Sequence, residues 1–284
     1  MRLVGTCLCV LALVSLSFSK DDSQASDLIK QHLDSIGNNQ ARAAIKNRVV
    51  EGTLQFQGAE RWRRRPRRQG GFYFRGRQVG FAAQTAESLY HGERFVSDGK
   101  KTMIAQLKPG VYSNLGQFIL AHNEILTEDL WGSALSTGWA LENYDDHRNK
   151  LKYQGTTKVD GRDLQRIDYV PKHSDLEIQL YFEPTTFWQV LTVYELTIKP
   201  QMGLTERETA QQQETHYRLE ERFADFKSVD NLTLPGKWTV QFTSDVPHFA
   251  ELRRLAALRS PKGSRRDIRD SEPRLPRSAS LMLP

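Results

Sequence analysis

Cysteine is almost absent from this chain. The only two, Cys7 and Cys9, both lie inside an apolar run over residues 3–16. With that run removed, no disulfide, reactive thiol or thiolate-bound metal is expected, and the fold must be held by its core alone. Neither Cys stands at the cleavage point, where a lipoprotein would need it. Metal spacing is missing too. His32, His91, His122, His147, His173, His216 and His248 form no H-x-x-x-H or H-E-x-x-H pair, so no zinc site is expected. There is no Gly-rich phosphate loop, and Ser133 and Ser136 lack the G-x-S-x-G setting of an activated serine. Asp145-Asp146-His147 reads as a solvated turn, because adjacent side chains diverge. Long apolar runs are absent after residue 16, so no later segment is expected to span a membrane.

The first residues have a pattern of their own. Arg2 is a short positive start, the apolar run follows, and Ser17-Phe18-Ser19 offers small residues where a signal peptidase reads. The run is short for a transmembrane anchor, the alternative reading, and fits a secretory signal peptide over 1–19. The expected location is therefore the periplasm or cell envelope.

The net charge of +6 comes from two tracts. Residues 61–77 hold eight Arg and no acid, and residues 253–277 hold nine bases against three acids, which leaves the rest of the chain at −8. The Arg tract could attract nucleic acid or anionic headgroups. An exported protein meets little nucleic acid, so a lipid surface or a solvated loop is the better expectation.

Periodicity divides the remainder. "SQASDLIKQHLDSIGNNQARAAIKN" is helical, with Leu28, Ile29, Leu33 and Ile36 on one face and Gly37 ending the first helix. From Arg48 the period becomes two, and Val50, Gly52, Leu54 and Phe56 share a side. Strands are expected over 71–83, 89–97 and 101–107, with Asp98-Gly99 as a hairpin turn. Residues 112–141 regain helical spacing, interrupted by Gly132 and Gly138, and predict one or two short helices. Asp160-Gly161 predicts a type I′ turn, and Pro235-Gly236 the turn before "KWTVQF". Asn231-Leu232-Thr233 matches a glycosylation sequon. The fold class expected is α+β, mainly antiparallel β, with about nine to eleven strands and no internal repeat.

"DLEIQLYFEPTTFWQVLTVYEL" is the most apolar hairpin. With Pro184-Thr185 as turn centre, Phe182 faces Phe187, Ile178 faces Leu191 and Leu176 faces Val193. That makes one face dry and the other, with Tyr181, Trp188 and Tyr194, mixed. A plain α+β core and a curved sheet holding an acyl chain under a helical lid use the same residues, so this pattern leaves both open.

The order of "ASDLIKQHLDSIG", "RVVEGTLQF", "ERFVSDGKKTMI", "VDGRDLQRIDYVPK" and "LEIQLYFEPTTFWQVLTVYEL" resembles the lipoprotein-carrier family of LolA and LolB, and most of all its larger "outer membrane lipoprotein-sorting" relatives. The resemblance covers roughly 26–60 and 88–242. It implies a strongly curved, incompletely closed β-barrel with a helical lid over residues 20–244. It also implies an apolar cavity for acyl chains of lipids or lipoproteins, no catalysis and no cofactor. Two stretches depart from it: 61–87, an Arg-rich insertion, and 245–284, a basic tail expected to be disordered. Their Arg, Pro, Ser and Gly content is also what an out-of-frame reading of a GC-rich gene yields.

The candidate cavity residues are Leu54, Phe56, Trp131, Trp139, Tyr153, Ile167, Tyr169, Ile178, Leu180, Phe182 and Leu191. The function expected is a monomeric periplasmic carrier of lipoprotein or lipid acyl chains, with the membrane surface or envelope proteins as further partners and no nucleic acid. A non-catalytic envelope protein-interaction module is the alternative. An exported hydrolase is the third reading and has no motif behind it.

Overall fold

A computed structural model describes residues 23–55, 67–84, 92–106, 112–144, 149–199, 214–245 and 255–258. The signal peptide, Phe56, the first part of the Arg tract, Asp145-Asp146-His147 and most of the 245–284 tail lie outside them.

A helix over 23–36 (α1) buries Ala25, Leu28, Ile29, His32 and Ile36, one stripe at helical spacing. Gly37 follows it, where a Cβ would stand 2.7 Å from Leu232 Cδ2. Asn38 then caps α2 (Asn39–Ala44) by accepting from Ala41 N–H at 2.8 Å.

Among the described residues, twelve strands form two antiparallel sheets. Strands β1 (Asn47–Gln55), β2 (Arg67–Arg75), β3 (Gln78–Gln84), β4 (Gly92–Ser97) and β5 (Thr102–Gln106) make the first, in chain order. The second runs β12 (Leu255–Leu258), β11 (Leu232–Ser244), β10 (Thr215–Val229), β9 (Gln189–Ile198), β8 (Glu177–Phe182), β7 (Arg162–Val170) and β6 (Lys150–Val159). Antiparallel pairing throughout agrees with the sequence reading. Among the described residues no single closed barrel forms. Instead β12 lies alongside β1, so the two sheets approach at that edge without a shared ladder.

The strand structure expected over 71–83 is present: residues 67–84, set apart by composition, form a hairpin of the first sheet that buries Phe72, Phe74, Val79 and Phe81. Other expectations change. Four residues of the basic tail, Leu255–Leu258, form β12, and the rest of it lies outside the described residues. Strand β11 passes straight through Pro235, and the turn before it is Asp230-Asn231, both left-handed (φ 50° and 63°) between paired Val229 and Leu232. Asp160-Gly161 takes the expected double positive φ, 50° and 80°.

The β8–β9 register also differs from the symmetric one. Glu183 and Trp188 close the loop through Glu183 N–H to Trp188 O, 3.0 Å, and Phe187 stands at φ 58°. Ile178 then pairs with Tyr194 and Leu180 with Thr192, with a bulge between Tyr181 and Phe182. From Leu191 on, the pairing is shifted by three residues, and an odd shift exchanges faces along that part of the returning strand, while Gln189, before the bulge, keeps its inward face. Tyr194 thereby joins Ile178, Leu180 and Phe182 in the main core. Leu191 and Val193 move to a second cluster with Leu164, Tyr181 and Val190, flanked by the stacked pair Trp188 and Phe226, 4.5 Å apart.

The main core lies between the sheets. It is joined there by residues 113–144, which include α3 (Asn114–Ala121), α4 (Glu124–Thr127) and a 3-10 turn, Ser133–Leu135. Trp238 of the second sheet touches Phe72 of the first at 4.4 Å and Trp131 of the inserted segment at 5.7 Å. Truncating the fully buried Phe182 to Ala is expected to cost about 3–5 kcal/mol in urea unfolding. The exposed Val49→Ala should stay within about 0.5 kcal/mol.

Candidate functional site

The candidate site is the interior between the sheets together with the segment 113–144 that fills it. Polar contacts fasten this segment on every side. At its start Glu93 of β4, fully buried, accepts from Ser113 N–H at 2.5 Å and from Ser113 Oγ at 2.6 Å, and Ser113 in turn caps α3. In its middle Gly132, left-handed at φ 83°, donates its N–H to Glu221 of β10 at 2.8 Å. A Cβ there would be 3.3 Å from Phe74 and from Trp238, so the residue suits both the backbone angle and the space. Ser133 Oγ donates to Gln189 at 2.8 Å, and Thr137 Oγ1 to Gly76 O at 2.9 Å. Arg48 of β1 donates to Ala134 O and Leu135 O at 2.7 and 2.8 Å, with its guanidinium over the Trp139 ring.

Two buried acids hold this segment. Glu221 also accepts from Tyr194 O–H at 2.8 Å; burial pushes its carboxyl up to about 7, against the pull of the Tyr194 and Gly132 hydrogen bonds. Asp129 pairs with Arg77 at 3.1 Å, and burial raises it to about 7 despite that cation. Among the described residues its Oδ1 has no hydrogen-bond partner. Gly138 is what lets it fit, since a Cβ there would fall 2.1 Å from the Asp129 Cγ. The backbone is strained nearby: Asp129, Ser133 and Trp139 all take positive φ, at 61°, 49° and 52°.

The remaining empty space between these groups is about 20 Å³, lined by His32, Asp129, Ser133 and Trp139 among others. That is room for a single water and not for a hydrocarbon tail. The open apolar hollow expected from the sequence is thus filled in this conformation. His32, Asp129 and Ser133 share the cavity wall, yet they make no triad. Ser133 donates to Gln189, and His32 Nδ1 faces Phe187 O at 2.9 Å, which puts the proton on Nδ1. Burial lowers the His32 pKa to about 4, so the ring is neutral.

Of the residues singled out in the sequence, Trp131, Trp139, Ile167, Tyr169, Ile178, Leu180 and Phe182 come together in the main core, with Tyr153 half-buried against it. Leu191 does not join them, because of the register change on β9. Leu54 pairs with Arg68 along the β1–β2 ladder. The sequence reading missed the polar anchors Arg48, Arg77, Asp129, Gln189 and Glu221. Glu221 did leave a signal: at an odd position it sits on the side of β10 that buries Leu219 and Phe223.

Both acids bind protons more tightly folded than unfolded. Their contribution is therefore complete below the ordinary carboxyl values of 3.8 and 4.5 and is lost as pH rises through about 7. His32 runs the other way: its contribution is present above 6.5 and lost as pH falls through about 4. Urea midpoints are expected to fall as pH is raised through about 7, and Glu221→Gln should make that limb shallower, with Asp129 carrying the remainder, while leaving the acid limb unchanged.

No family model and no curated protein matches the chain. Among solved structures, it is similar to a LolA superfamily protein from Nitrosomonas europaea at 9% identity, covering 84% of this chain and 91% of that one, with a TM-score of 0.45. An outer membrane lipoprotein-sorting protein domain from Vibrio parahaemolyticus gives 8% identity, 85% and 92% coverage and a TM-score of 0.42. The Mycobacterium tuberculosis lipoprotein LppX gives 15% identity, 61% and 88% coverage and a TM-score of 0.25. At this identity and overlap the likenesses assign neither a family nor an activity to the chain.

Proposed function

We propose that the protein binds the acyl chains of lipids or lipoproteins between its two sheets, with residues 113–144 as the lid that gives way to them. The observation behind this is what fills the interior. Both sheets present apolar and aromatic faces inward; Phe72 and Trp238 meet directly across them, and the rest of the space is occupied by α1 and by residues 113–144. That segment carries three strained non-glycine residues and a buried carboxylate oxygen without a partner. Such costs run to about 1–3 kcal/mol each, which narrows the gap between a closed and an open arrangement.

The finer reading draws on the motif order that resembles the LolA and LolB carriers. It is a monomeric, non-catalytic periplasmic carrier for sorting lipoproteins or lipids to the outer membrane. A second reading, an envelope protein-interaction module, is favoured by the filled interior and by edge strand β5. Among the described residues β5 has no strand on its outer side, and its Met103 is 68% exposed.

The lid can be tested directly. In a background with Cys7 and Cys9 changed to Ser, Ser133→Cys and Gln189→Cys would be joined by a short thiol cross-linker, since their side chains meet at 2.8 Å. Uptake of a fluorescent fatty acid is expected to drop at least about tenfold when they are joined and to recover on release. Uptake that ignores the cross-link would remove the lid. Delipidated protein that takes up no fatty acid or lipopeptide at all, yet retains a protein partner in pull-downs, would favour the second reading.

A further inference from the structure

A second, much larger space opens beside the lid. It is an open cleft of about 770 Å³, within the range of small-molecule sites. It lies between α2, the β2–β3 turn, the β4–β5 turn and the loop at Thr137–Trp139. Four bases reach it: Arg42, Lys46, Arg75 and Arg77.

Two of these bases are committed to the fold. Arg42 is buried and bonded to Glu142, Leu33 O and Gly37 O, while Arg77 serves Asp129 and Thr127 O. Lys46 and Arg75 are exposed, and among the described residues neither is ion-paired. The ladder sets them close together: Asn47 pairs with Arg75, and Gly76 N–H donates to Lys46 O at 3.2 Å. The one acid of the cleft, Asp98, is turned to its own loop, where it accepts from the N–H groups of Lys100 and Lys101 at 2.8 and 2.7 Å. Two cations thus face a roomy cleft whose acid is occupied elsewhere.

Trp139 lines both this cleft and the small interior cavity. It is the wall between them. It is held left-handed beside Gly138, with Arg48 against its ring. A ligand with a polar head in the cleft would send its tail inward past Trp139.

We propose that this cleft holds the anionic headgroup, carboxylate or phosphate, of an amphiphile whose hydrocarbon tail enters the interior past Trp139, with Lys46 and Arg75 as its anion-binding pair. This rests on the acyl-binding reading and adds to it the charge and the direction of the ligand. Neutral lipids lose the head contact and bind by the tail alone.

The probes are dansyl-labelled undecanoic acid and its methyl ester, measured on the full chain and on a Lys46→Gln/Arg75→Gln variant. Both positions are exposed, so the variant should melt as the parent does. The acid is expected to bind about tenfold more tightly than the ester at low salt, with the gap closing in the variant and at high salt. Equal affinity for acid and ester in the parent, or a gap that survives in the variant, overturns the headgroup site and leaves acyl binding standing. Binding of neither probe removes the acyl-binding reading and this one with it. Inorganic phosphate that displaces the acid at equal concentration marks a free-anion site and overturns the amphiphile. Energy transfer from tryptophan to the bound dansyl group should weaken in Trp139→Phe; an unchanged signal overturns the path past Trp139.

Discussion

The buried carboxylate of Glu221 ties the inner sheet face to the segment that covers it. It receives Tyr194 O–H from β9 and Gly132 N–H from the inserted chain. A buried acid is costly unless its oxygens are satisfied, and here both are. Around that point Trp131 meets Trp238, and Trp238 meets Phe72 of the other sheet. The two sheets thus meet directly at Phe72 and Trp238 and are also joined through one short segment whose anchor is polar. A polar anchor behaves differently from an apolar one: its strength follows protonation, and its partners have fixed geometry.

This arrangement reconciles a filled interior with a binding function. Hydrocarbon tails and Leu, Phe or Trp side chains ask the same of their surroundings, so a space built for one accepts the other if the occupant can leave. Strain at Asp129, Ser133 and Trp139, and the partnerless Oδ1 of Asp129, lower the cost of leaving. The contacts of Arg48 with Ala134 O and Leu135 O, and of Glu93 with Ser113, raise it. A lid needs both kinds of contact, because one that is only stabilised stays shut and one that is only strained never closes.

The outer face of the second sheet is managed separately. Arg218 links Glu195 and Glu220, and Arg222 links Glu220 and Asp160, a ladder of alternating charge across β9, β10 and the β6–β7 turn. Below it Leu164, Leu191 and Val193 are buried beside Trp188 and Phe226. These exposed pairs add little stability each. They do give each strand cross-strand partners of opposite sign on that face, which helps hold the register that the β8–β9 bulge has set.

The strand over 71–83, the left-handed turn at Asp160-Gly161 and the helical stripe of α1 were all legible in the sequence, because each depends on neighbours a few residues away. So was the membership of Trp131, Trp139, Ile178, Leu180 and Phe182 in one apolar interior, since that follows from side-chain chemistry. The face of Leu191 was not legible: it depends on Phe187 turning left-handed, which the loop and its tertiary packing decide together. Nor was the turn at Asp230-Asn231, because Pro235-Gly236 carries the stronger local signal and is overruled by pairing along β11. Whether the interior is open or filled belonged wholly to the tertiary structure. Composition makes that space apolar, but only the long-range contacts of Glu221, Asp129 and Arg48 determine which apolar groups occupy it.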